Sequence, residues 1–143
     1  MDIDALWNFD KLDDTEQRFR AALAAVPASD PQHAELLTQI ARCEGLQRRF
    51  DAAHQTLDQA EALIGDAAPR ARIRLLLERG RVFNSSGQAE RSRGFFVDAL
   101  ALAKERMADD AAFDALAVDA AHMLGIVAVE DDRLEWNLAA LGM

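Results

Sequence analysis

The sequence predicts an all-α protein built as an array of antiparallel helix pairs, with about seven to eight helices. One apolar mark recurs after 38 and 39 residues and again after 45, and a second mark, a small residue, recurs after 39 and 45. Composition agrees, because three prolines, seven glycines and no tyrosine disfavour a β-sandwich or barrel. The first mark is Leu12…Phe19-x2-Ala22, Phe50…Leu57-x2-Ala60, Ala89…Phe96-x2-Ala99 and Leu134…Leu141, and the second is Ala41, Gly80 and Gly125.

The first predicted helix runs from Asp13 to Val26 and follows a poorly patterned segment around Trp7. This lone helix forms a degenerate first repeat over residues 10–28. The next helix begins at Pro31, where the missing N–H of proline is tolerated and Asp30 is able to accept a backbone N–H. It is expected to end near Arg48.

A second helix after a tight turn completes the repeat 31–66, since its apolar residues lie on one helical face from Phe50 to Ile64. The repeat 69–108 has the same plan. Its first helix stops at the turn signal Asn84-Ser85-Ser86-Gly87, and its second runs from about Gln88 to Ala108.

The last repeat, 111–143, is predicted to be truncated. Its first helix is expected from about Ala111 to Val129, and its second from about Asp132 to the end of the sequence, with a turn at the acidic run Glu130-Asp131-Asp132. The whole chain, 1–143, is thereby read as a single domain.

These residues resemble the tetratricopeptide repeat, whose signature places a large residue, Leu-Gly and an aromatic on a first helix and Ala-x3-Phe on a second. The resemblance implies a right-handed superhelix of helix pairs that acts as a protein- or peptide-binding scaffold. The small residue lets two helices approach closely. The matching residues are Leu37-x2-Ile40-Ala41-x2-Glu44 with Ala53-x3-Leu57, Leu76-x2-Arg79-Gly80-x2-Phe83 with Ser92-x3-Phe96, and Ala121-x2-Leu124-Gly125-x2-Ala128 with Asn137-x3-Leu141.

Charge and composition disfavour several classes of function. A net charge of −9 opposes nucleic-acid binding, although residues 42–93 alone carry +3 and the rest −12. No stretch is expected to span a membrane, and the N-terminus lacks the pattern of a signal peptide. A single cysteine, Cys43, fits the cytoplasm. We find no catalytic, metal or cofactor motif, and His33, His54 and His122 have no partner at metal-ligand spacing, so an enzyme is disfavoured.

A partner-binding groove is predicted along the first helices of the repeats, beside their packing stripes. Three arginines fall on it, and their planar donor groups suit an acidic peptide or a C-terminal carboxylate. The alternative is that these arginines only solvate the surface and pair with Glu35 and Glu78. The predicted groove residues are Glu35, Thr38, Arg42, Arg74, Leu77, Arg81, Asn84, Asp119, His122 and Ile126.

The C-terminal helix suggests a different role, because it is apolar and no polar capping helix follows it. Either the natural chain continues past Met143, or two copies meet there as a homodimer. The residues predicted for this self-association end are Leu134, Trp136, Leu138 and Leu141.

Overall fold

A computed structural model describes residues 2–65, 68–108 and 110–142, with side chains described up to residue 128. All regular structure in these residues is helical, which confirms the all-α prediction. A short 3-10 helix, Asp4–Leu6, precedes six α-helices. These are α1 (Leu12–Ala25), α2 (Pro31–Leu46), α3 (Phe50–Leu63), α4 (Pro69–Ser85), α5 (Ala89–Arg106) and α6 (Ala111–Gly142).

The helices form a row with a flanking set. Helix α4 contacts both α2 and α6, while α1 and α3 pack on α2, and α5 packs on α4 and α6. Helix α2 begins as predicted, because Pro31 occupies its first turn and the Asp30 side chain accepts a hydrogen bond from the Gln32 N–H at 2.9 Å.

The turns that close the two central hairpins, α2–α3 and α4–α5, have the same backbone geometry. Arg48 has a φ of 63° and Gly87, 39 residues later, a φ of 83°. In each turn the next N–H, from Arg49 or Gln88, donates to the carbonyl five residues earlier, at 2.9 and 2.8 Å respectively. This 6→1 bond with a left-handed residue before it is a common helix ending. The 39-residue period of the sequence is therefore also a period of the backbone.

The recurring apolar mark lies in the core of the flanking helices. Phe19 on α1, Leu57 on α3 and Phe96 on α5 are each fully buried. One helical turn before each of them lies a small or short residue that is also fully buried, which lets the helix approach the row closely. These are Thr15, Ala53 and Ser92.

The second mark is equivalent in only part of the chain. Ala41 is fully buried and Gly80 is buried against α5. A Cβ added at Gly80 would lie 2.6 Å from the ring of Phe96, whereas one added at Gly125 would have no neighbour within 4 Å. Gly125 does not mark a close helix contact, because no second helix of a pair folds back beside it.

The expected turn at Glu130-Asp131-Asp132 is wrong, since α6 is one helix of 32 residues. Aspartate disfavours a helix interior by only about 0.7 kcal/mol relative to alanine, far less than the ~3 kcal/mol of proline. The surrounding alanines and leucines are good helix formers, and this run contains neither glycine nor proline. This continuity reduces the expected seven to eight helices to six among the described residues.

Helix α6 also corrects the expectation that no stretch reaches membrane-spanning length. Residues Ala111–Ala128 have a mean hydropathy of 1.5, enough for a span by length and composition. A core helix of a soluble protein meets the same criterion. One face of this stretch packs on Phe96 and Ala99 of α5 through Phe113 and Ala120, which accounts for its apolar character.

Candidate functional site

The first helices of three successive repeats meet at one cavity of about 140 Å³. Helix α2 contributes Arg42, α4 contributes Arg74 and Arg81, and α6 contributes Asp119. Arg74 and Arg81 are seven residues apart, which places them on the same face of α4 two turns apart. We call this cavity the arginine pocket. The sequence correctly brought its three arginines together.

A buried carboxylate lies at the base of the arginine pocket. Glu78 is 2% exposed, and its Oε1 lies 3.0 Å from Arg81 Nε and 3.8 Å from Arg42 Nε. Asp119 pairs with both terminal nitrogens of Arg81. Burial alone would lower the pKa of the Arg81 guanidinium, but the charges of Glu78 and Asp119 outweigh it and the pKa is raised. Arg81 is therefore held as a fixed cation.

Residues 2–10, which we call the N-terminal segment, lie against the other two arginines. Asp4 pairs with Arg74 through two contacts of 3.3 and 3.5 Å. The Arg42 guanidinium lies 5.0 Å from the ring centroid of Trp7 and 5.2 Å from that of Phe9, and these two rings are stacked on each other. Such stacking of a guanidinium on aromatic faces is attractive.

A buried hydrogen-bond relay on α2 ends at the N-terminal segment. The Trp7 indole N–H donates to Gln39 Oε1 at 2.9 Å, and Gln39 Nε2 donates to the hydroxyl of Thr38 at 3.2 Å. That hydroxyl donates in turn to the backbone carbonyl of Glu35 at 2.6 Å. Because the Thr38 hydroxyl accepts from the amide nitrogen, the carbonyl oxygen of Gln39 is oriented toward Trp7.

Some buried polar atoms of this region have no hydrogen-bond partner within the chain. They include Arg42 Nε and Arg74 Nε beside the arginine pocket, and Asn84 Oδ1 further along α4. Unpaired buried donors are unfavourable, so an acceptor that reached these nitrogens would be bound more strongly than at an open surface.

The ten predicted groove residues do not all face solvent. Glu35, Thr38 and Leu77 are buried, which corrects their assignment to an open groove. Arg70 covers Glu35 through a contact of 2.6 Å, Thr38 belongs to the relay, and Leu77 packs in the core with residues of α5 and α6. His122 is exposed, and the other six are partly exposed, namely Arg42, Arg74, Arg81, Asn84, Asp119 and Ile126.

Sequence reasoning missed Asp4, Trp7 and Gln39 as parts of this site. One signal was available, since the N-terminal segment is acidic and residues 42–93 carry a net positive charge. Asp4 and Trp7 are also three residues apart, a spacing that places them on one face of a helical turn. The alternative of internal pairing is partly realised, because Glu78 pairs with Arg42 and Arg81.

Groups outside the arginine pocket have ordinary structural surroundings. Cys43 is buried, and desolvation raises its pKa to about 12, so the thiol is unreactive. Burial lowers the pKa of His54, which stacks near Phe83 and contacts Arg79. In the part of the chain that the structure describes, no group of three or more His, Cys, Asp or Glu residues has a metal-binding arrangement.

The predicted self-association end, Leu134, Trp136, Leu138 and Leu141, lies outside the residues whose side chains are described. The backbone there continues α6 as far as Gly142.

No family model, curated protein or solved structure matches this chain. The likeness to tetratricopeptide repeats therefore rests on the sequence pattern.

Proposed function

We propose that this chain is a non-catalytic helical-repeat scaffold of the tetratricopeptide-like kind, which binds an acidic segment or C-terminal carboxylate of a protein partner in the cytoplasm. The observation that carries the proposal is the convergence of Arg42, Arg74 and Arg81 on one cavity. These residues come from two successive repeats and are distant in sequence. Their convergence creates a concentration of guanidinium groups on a protein that is acidic overall.

The repeat architecture is supported by the two central hairpins. Their turns share φ values and hydrogen bonds at a separation of 39 residues. The first helices of the repeats, α2, α4 and α6, contact one another in succession. Repeats that stack in this way bury their apolar faces on neighbours and leave one long side free for a partner, as in a right-handed superhelix.

The chemistry of the partner follows from the donors in the arginine pocket. Arg42 is 26% exposed at its side chain and Arg74 12%, so both are reachable yet largely desolvated. A carboxylate forms short, charge-assisted hydrogen bonds with guanidinium groups, and partial desolvation strengthens them. An acidic partner is favoured over a basic one, which would have to approach three arginines.

Reversing the charge of Arg74 tests this function. In the Arg74→Glu variant we expect affinity for a labelled acidic peptide with the sequence of residues 2–10 to fall at least about tenfold, because loss of a charge-assisted bond is accompanied by repulsion. Fluorescence anisotropy with the full chain measures this, and the amidated peptide shows whether the terminal carboxylate contributes.

The matched control is Arg72→Glu, which makes the same charge change on the same helix. Arg72 is 38% exposed and only 3.9 Å from Glu61 at its nearest ion pair, away from the arginine pocket. We expect this variant to bind the peptide like the unmodified chain. If Arg74→Glu and Arg72→Glu bind equally well, the arginine pocket is not the binding surface.

The length of α6 favours self-association as a second candidate. At 1.5 Å per residue its 32 residues extend about 48 Å, whereas the 18 residues of α5, the helix it packs along, extend about 27 Å. A helix that outruns its neighbour by this much has a stretch available for a second copy of the chain.

Light scattering at several concentrations tests self-association. We expect a dimer that Leu138→Asp disrupts, because a buried charge opposes an apolar contact. Asn137→Asp adds the same charge at the next position and serves as the control. A strict monomer at every concentration would reject the homodimer.

A further inference from the structure

The N-terminal segment occupies the face that the proposed function assigns to a partner. Ile3 is 3% exposed and packs with Phe19 and Leu36, which anchors the segment on α1 and α2. From there Asp4 reaches across to α4 and pairs with Arg74, 70 residues away in sequence. The segment thus bridges two repeats with one carboxylate and one indole, three residues apart.

Gln39 makes this face selective for a hydrogen-bond donor. Its side chain is 1% exposed, and its carbonyl oxygen accepts from the Trp7 indole. The relay through Thr38 fixes the direction of that oxygen. Since a buried acceptor without a donor is unfavourable, an aromatic residue with an N–H fits this position better than phenylalanine.

The charge of the arginine pocket depends on the N-terminal segment. With Asp4 present, three arginines face three carboxylates, Asp4, Glu78 and Asp119. Without Asp4 the pocket has one net positive charge. Glu78 and Asp119 belong to the helices of the row, so Asp4 is the acid that a competing carboxylate would replace.

The peripheral contacts of the segment are weakly held. Asp4 is 71% exposed at its side chain, and Phe9 is 57% exposed. Ion pairs with one exposed partner contribute little to stability. Exchange of the segment for a similar one therefore requires the loss of one short hydrophobic anchor and a few shallow contacts.

We infer that the N-terminal segment is an internal copy of the partner motif. The face formed by Gln39, Arg42 and Arg74 takes a segment of another protein that carries a carboxylate and, three residues later, a tryptophan. This segment displaces residues 2–10 when it binds. The inference rests on the proposed function and adds to it the sequence of the ligand and the competition within the chain, which lowers apparent affinity by the fraction of closed molecules.

The test compares Asp4→Lys with Asp2→Lys in the full chain. Both variants make the same charge change in the same exposed stretch, but only Asp4 contacts Arg74, whereas Asp2 accepts a hydrogen bond from the Ala5 N–H. We expect the labelled peptide of residues 2–10 to bind Asp4→Lys about fivefold more tightly, the factor that corresponds to ~1 kcal/mol for a lost exposed pair. Fluorescence anisotropy gives both affinities.

A second measurement reports displacement directly. In a Trp136→Phe background, 5-fluorotryptophan labels Trp7 alone, and its ¹⁹F signal is expected to move to the position of a solvated indole as unlabelled peptide binds. Equal affinities of the two lysine variants, together with an unchanged ¹⁹F signal in the bound state, would overturn the inference while leaving binding by the arginines intact. Failure of the proposed function is distinguishable, because the peptide would then bind Arg74→Glu and Arg72→Glu alike.

Discussion

Replacing Glu78 with glutamine is expected to lower the free energy of unfolding by about 3 kcal/mol. The carboxylate is 2% exposed and faces two guanidinium groups, those of Arg42 and Arg81. Glutamine keeps the shape but removes the charge, so two largely desolvated cations lose a compensating anion. Urea denaturation followed by circular dichroism measures the change.

Glu61→Gln is the control for this charge effect. Glu61 is 55% exposed, and its ion pairs with Arg72 and Arg79 are 3.9 and 3.7 Å long. We expect a loss below about 1 kcal/mol, because exposed pairs are screened by water. If Glu78→Gln is as mild as this control, the charge of Glu78 does not stabilise the row of helices.

Replacing Gly80 with alanine is expected to destabilise the fold by about 1–3 kcal/mol, although alanine is the better helix former. The new methyl group would lie within 3.0 Å of three atoms of the fully buried Phe96 ring, so α4 and α5 would have to separate. Gly125→Ala has no such neighbour. It should instead stabilise the chain by up to about 1 kcal/mol through helix propensity.

The opposite signs of these two glycine substitutions, measured by thermal unfolding, test the packing of α4 on α5. The double variant Gly80→Ala/Phe96→Leu should recover part of the loss, because the two sites are in contact and their effects are not additive. A stabilising effect of Gly80→Ala would mean that the two helices are further apart than described.

Local chemistry made most helices predictable from the sequence. Proline with a preceding aspartate fixed the start of α2, and the recurring buried positions Phe19, Leu57 and Phe96 marked the flanking helices. The last turn was not predictable by the same means. A run of acidic residues resembles a loop, yet a helix continues through it when the neighbouring residues favour helix and no glycine or proline intervenes.

The candidate site was predictable only where it depends on helix periodicity. The spacing of Arg74 and Arg81 places them on one face of α4, and the repeat brings Arg42 beside them. Asp4 and Trp7 reach the same face through a chain path that no periodic pattern encodes. Contacts across 70 residues depend on packing of the whole fold, so their position required the structure.

The burial of Cys43 has a practical consequence. The thiol packs with Ile3 and Phe19, beneath the N-terminal segment, and a pKa of about 12 keeps it protonated at neutral pH. Reagents that modify thiolates will therefore pass over it in the native chain. A cysteine introduced on the surface would be the reactive thiol in the described part of the protein, so dyes and spin labels can be attached without removing the native residue.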